Sequence, residues 1–148
     1  MDSIIHRQVL LPCGPGEAFS MFTRNRLLES WLARKAEVEP VEGGKFELFW
    51  QPENKRLNST LGCRITAIEP DRFLSFEWRS PEQFKHFANQ ADPLTHVVVF
   101  FVPEDEGTRV HLVHSGWRSS DDWEQARQWQ DQAWCFGLQA LEDRVSTG

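Results

Sequence analysis

Beyond Ser120 the chain carries one long helical pattern with no break in it, and everything before it must supply a surface for that helix to pack on. Asp121-x-x-Glu124 reads as a capping box. Trp123, Arg127, Gln130, Trp134, Leu138, Leu141 and Val145 then recur at helical spacing. A helix of ~24 residues is about 36 Å long, whereas strands of ~7 residues span about 23 Å. Such a helix outruns any one strand and has to cross a sheet obliquely. Gly137 in its middle costs about 1 kcal/mol against Ala, which a close approach of helix to sheet would explain.

The preceding sequence reads as that sheet. Ile4 to Leu11 is a strand stopped by Pro12. After a Gly-Pro break, a short helix places Ala18, Phe19 and Phe22 on one face. Asn25 can cap a second short helix presenting Leu28, Trp31 and Leu32. Ala36 to Pro40 is a weak strand, and Gly43-Gly44 is a turn before Phe46, Leu48 and Trp50 in strict alternation. Leu61 to Ile68 is a strand, and Leu74, Phe76 and Trp78 share one face of the next. Thr95 to Val102, with Val97, Val99 and Phe101, is apolar on both faces and should be central, its outer face partly covered. After a hairpin turn at 104–107, Val110, Leu112 and His114 alternate inward. The expectation is an α+β domain spanning 1–148, with about seven strands curved around the long helix. A twisted sheet need not touch such a helix everywhere, so a cavity between them is a natural by-product and a place for a small apolar ligand.

Composition narrows the function. The hydrophobic share of 40% and charged share of 26% suit one globular core. A net charge of −6 argues against nucleic acid. Arg24, Arg26, Arg34 and Lys35 are diluted by Glu29, Glu37 and Glu39 and read as solvated surface. Three cysteines without CxxC spacing favour neither a disulfide framework nor a zinc site. No signal pattern and no run of ~18 apolar residues is visible, so the chain is expected to be cytoplasmic and without a membrane span. The Asn58-Ser59-Thr60 sequon is then idle. GxSxG, GxxxxGK[ST] and HExxH are absent, and no metal, cofactor or catalytic set is expected.

Taken in order, Leu28 with Trp31, Gly43-Gly44 with Phe46, Gly62 before Ile68-Glu69-Pro70, Leu74 with Phe76 and Trp78, Gly107-Thr108, His114-Ser115-Gly116, and Trp134 with Leu138 and Leu141 form a recognisable series. The chain resembles the START-like, helix-grip superfamily. Within it, the chain is most similar to single-domain bacterial proteins related to the C-terminal domain of the Hsp90 ATPase activator. The resemblance implies a fold and a cavity, but no reaction, because members include lipid carriers, receptors, cyclases and a co-chaperone. The co-chaperone's additional N-terminal domain has no room here, which counts against an Hsp90-type chaperone as partner. A homodimer is left open.

The connections 51–59, 79–93 and 115–120 should meet at one end, with Trp50, Trp78 and His114 around the mouth and Trp117 just beyond. Ser80-Pro81-Glu82-Gln83 reads as the cap of an extra helix carrying Phe84 and Phe87. That helix is either a lid or a surface helix pinned by those two rings. His114 reads either as a satisfied core histidine or as a polar contact, and in an enzyme as the base. The favoured reading is a binding module for a small hydrophobic or aromatic molecule. A cyclase- or hydrolase-like enzyme on the same cavity and a chaperone-associated interaction module are its rivals.

Overall fold

The computed structural model describes residues 3–147, leaving Met1, Asp2 and Gly148 outside the description. The chain runs β1 (Ile5–Leu11), α1 (Pro15–Thr23), α2 (Asn25–Leu28), β2 (Lys35–Val38), β3 (Phe46–Phe49), β4 (Ile65–Glu69), β5 (Phe73–Trp78), α3 (Lys85–Ala88), β6 (Thr95–Glu104), β7 (Gly107–Ser115) and α4 (Asp121–Thr147). All ladders are antiparallel. Five strands pair in the order β1-β7-β6-β5-β4, and β2 pairs with β3. The expected single ladder is therefore interrupted between β3 and β4. Isolated bridges, Lys45 with Arg64 and Phe49 with Ser59, carry the curved surface across the gap. Buried Thr60 stitches it further: its hydroxyl donates to the Phe46 carbonyl and accepts from the Leu48 N–H.

Period-two alternation builds the inner face as rows across the sheet. Phe76, Val97, His114 and Ile5 are successive register partners, as are Leu74, Val99, Leu112 and Arg7. Every member of these rows except Arg7 is buried. Arg7 sits on edge strand β1, where α4 overlies the sheet, and pairs with Asp131 of α4 at 2.8 Å. α1 covers β6 and β7, with Phe19 and Phe22 edge-on to Phe101. Phe46 of β3 stacks on Phe76 of β5 at 3.8 Å between centroids.

Several local expectations change. Strand β6 is central, but its outer face is not covered at the far end, where Phe100 and Val102 are exposed. Asn25 does not cap α2. Its side-chain oxygen accepts from the Val38 N–H, and Glu29 accepts from the Ala36 N–H. Both bonds satisfy the free edge of β2, a common way to blunt a strand edge. The cap of α4 is Ser120, whose hydroxyl accepts from the Trp123 N–H, with Asp121, Asp122 and Glu124 in the favourable first turn. Gly137 does not touch the sheet. A Cβ there would lie 3.8 Å from Trp31 and 3.9 Å from Leu32. No helix among the described residues is long and apolar enough to cross a membrane.

Candidate functional site: a tryptophan-walled cleft

A cleft of about 430 Å³ opens where α4, the ends of β3 and β5 and the 79–83 segment converge. Ligand pockets commonly measure ~300–1,000 Å³. Its walls are five indoles: Trp31 after α2, Trp50 after β3, Trp78 at the end of β5, and Trp129 and Trp134 on α4. Gly137 leaves the gap into which the cleft extends beside Trp31 and Leu32.

Four of the five indole N–H groups are spent inside the protein. Trp31 donates to the Met21 carbonyl at 2.8 Å and Trp50 to the Leu32 carbonyl at 2.8 Å. Trp78 donates to Gln130 Oε1 at 3.2 Å, and Trp134 to His114 Nδ1 at 3.1 Å. These bonds fix the rings, and rings so fixed offer the cleft apolar surface rather than donors. Trp50 meets Trp78 edge-to-face at 5.9 Å, and Trp78 meets Trp134 at 5.0 Å. Trp129 is 43% exposed and marks the rim.

His114 stands behind this wall, fully buried. Nδ1 accepts the Trp134 N–H, so the ring proton sits on Nε2, which donates to Thr95 Oγ1 at 3.0 Å. Burial pushes its pKa from 6.5 down to about 3, with His96 adding a smaller repulsion. The imidazole is neutral, both nitrogens are occupied, and neither partner is a carboxylate. It does not line the cleft. Of the sequence readings of His114, the geometry fits the satisfied core histidine, its ring held by the side chains of Thr95 and Trp134.

Of the expected cavity lining, Trp31, Trp50, Trp78 and Trp134 are brought together at the cleft. Phe19, Phe22, Phe46, Leu48, Leu74, Phe76, Val97, Val99, Phe101, Val110, Leu112, Leu138 and Leu141 fill the solid core instead. Alternation identifies a buried face but not whether that face meets atoms or a void. Trp117 lies beyond His114, 4.6 Å from its ring, and donates to the His114 carbonyl. The 79–93 connection holds a four-residue helix that starts at Lys85, not at Pro81, without a side-chain cap. Ser80 and Asn89 clamp its ends through two reciprocal hydrogen bonds. Phe84 rests on Trp129 and Phe87 on Trp123, so both rings dock on α4. Arg79, Pro81 and Gln83 are the residues of this segment that reach the cleft.

Sequence reasoning missed the polar side of the site. Gln130 is 4% exposed, lines the cleft, and uses only its oxygen on Trp78. The signal for it was a polar residue on the apolar stripe of α4. Arg79 also lines the cleft, and its buried Nε has no acceptor. Asn58 of the sequon has its side chain engaged with Gln51 and the Glu82 N–H. No group of three or more potential metal ligands occurs among the described residues.

The comparisons agree with this architecture. The family model for "Activator of Hsp90 ATPase homolog 1-like protein" matches residues 13–141. No curated protein matches. Protein MLL2253 from Mesorhizobium loti superposes with a TM-score of 0.78 at 22% identity, covering 98% of each chain. Protein SSP2350 from Staphylococcus saprophyticus gives a TM-score of 0.75 at 14% identity, covering 97% of this chain and 92% of that one. The Aha1 dimer from Colwellia psychrerythraea gives a TM-score of 0.70 at 16% identity, covering 97% and 96%. At these identities the likeness to solved structures is one of fold. With 13–141 matched by the family model, the chain belongs to the activator of Hsp90 ATPase homolog 1-like family, on the START-like helix-grip fold.

Proposed function

We propose that the protein is a binding module for a small hydrophobic or aromatic molecule, taken into the cleft between α4 and the ends of β3 and β5. The observation that carries this reading is the indole wall. Four rings are locked by internal hydrogen bonds around an open volume of about 430 Å³. Apolar wall left facing water forgoes the stabilisation that burying it would give, and an apolar ligand in the cleft recovers it. Burying ~200 Å² of apolar ligand surface is worth about 5 kcal/mol. Association costs offset much of that, so generic apolar ligands bind in the micromolar range or more weakly. Nothing about His114 favours the enzyme reading, because its two nitrogens are already engaged.

Gly137→Leu tests the proposal. A Cβ at this position fits at ordinary contact distance, but a longer side chain must enter the cleft. The wild type should give a saturable change in intrinsic fluorescence with 2-naphthylmethanol. The variant should keep its melting temperature within a few degrees and bind at least tenfold more weakly. Absence of a saturable signal from the wild type, or equal binding by the variant, contradicts the proposal.

A further inference from the structure

A second concavity adjoins the indole cleft and shares Asn58, Ser59 and Arg79 with it. Its charged lining is wholly basic: Arg56, Arg79 and Lys85, with His86 beside them. No Asp or Glu among the described residues lines either space. That is notable in a chain where 22 acidic residues outnumber 16 Lys and Arg. None of the three cations forms an ion pair among the described residues, whereas six other basic side chains do. Of the carboxylates in this region, Glu47 accepts from the Gly62 N–H and Glu77 from the Arg64 N–H, while Glu82 is exposed and forms no ion pair among the described residues.

Arg79 stands on the shared wall. A guanidinium offers five donors in a fixed fork. Its Nη1 makes a 3.4 Å bond to the Asn89 carbonyl, and its buried Nε makes none. On the indole side, the buried Gln130 amide has its oxygen committed to Trp78 and its NH₂ left over. Both Arg79 and the buried Gln130 amide keep donors to spare, whereas the exposed Gln83 amide at the rim offers donor and acceptor alike. A half-buried cation without a counter-charge is costly, and an oxyanion supplied by a ligand relieves that cost with charge-assisted hydrogen bonds.

Resting on the reading of the cleft as a ligand site, we propose that the ligand is an aromatic or conjugated anion. Its planar body lies among the indoles, its carboxylate or phosphate oxygens meet Arg79, and exposed Arg56 and Lys85 draw it in. Arg is suited to the anchoring role because its planar fork matches both oxyanions. The two outer cations act through the local field and raise the encounter rate.

Calorimetric titration of the full chain with 2-naphthoate, 2-naphthyl phosphate and neutral 2-naphthylmethanol tests this. At least one anion should bind ten times or more tightly than the alcohol, and which anion leads tells a carboxylate site from a phosphate site. Arg79→Gln should abolish that preference while leaving the alcohol's affinity within twofold. Arg56→Gln with Lys85→Gln, both at exposed positions, should weaken the anion two- to fivefold and flatten its salt dependence. Equal binding of the alcohol and both anions by the wild type overturns the proposal and leaves the apolar site standing. Equal loss of all three probes in Arg79→Gln also overturns it, marking Arg79 as structural. Failure of all three to bind the wild type removes the site itself.

Discussion

His114 links the sheet to the long helix through one proton arrangement. Its neutral ring accepts from Trp134 and donates to Thr95. The unfolded chain takes up a proton near pH 6.5, whereas burial holds the folded group near 3. Stability from the neutral ring is therefore complete above about 6.5 and is lost as pH falls toward 3. By pH 5 the loss from this one group is about 2 kcal/mol. In urea unfolding at pH 7.5 and pH 5, His114→Gln should show a loss smaller than that of the wild type by about this amount; equal losses would mean that His114 is not held neutral. Trp134→Phe keeps most of the packing but orphans Nδ1, and should cost about 1–3 kcal/mol. Alternation with Val110 and Leu112 made the inward direction of His114 legible. Its partners were not, because Thr95 precedes it by 19 residues and Trp134 follows by 20. For the same reason Arg56, Arg79 and Lys85, scattered along the chain, gave no local basic run.

The long helix was the most legible element, since 3.6-residue periodicity and a polar N-terminus survive in any context. Its cap fell one residue earlier than the capping-box pattern indicated. Ser120→Ala should cost about 1 kcal/mol of unfolding free energy. Unchanged stability would show the Trp123 N–H content with water. Gly137 was read as a contact with the sheet, but helix–sheet spacing is a tertiary quantity that a single glycine does not encode. Its neighbours at 3.8 and 3.9 Å leave room for one methyl group. Gly137→Ala should thus stabilise by about 1 kcal/mol, read as a rise in melting temperature; a fall would place the helix closer to Trp31 than described. The β2 edge was the least legible element. Its backbone N–H groups are satisfied by Asn25 and Glu29, side chains that local pattern assigns to helix caps and surface.

At the scale of the whole molecule, the order of elements along the chain and the helix-grip arrangement followed from alternation, turn residues and the resemblance. The volume and place of the cleft did not. Nearly the same inward-facing residues could describe a hollow sheet or a filled one, and this protein fills the centre and opens the end. What decides the difference is the set of aromatic side chains that cross from one element to another, Trp50 to Trp78 and Trp78 to Trp134. The chain carries seven tryptophans, so its indole N–H resonances are a map of the site. In a nitrogen–proton correlation spectrum titrated with 2-naphthoate, Trp31, Trp50, Trp78, Trp129 and Trp134 should shift together and saturate, while Trp117 and Trp123 hold still. Shifts confined to Trp117 and Trp123, or no saturable shift in any indole, would contradict a ligand site in the cleft.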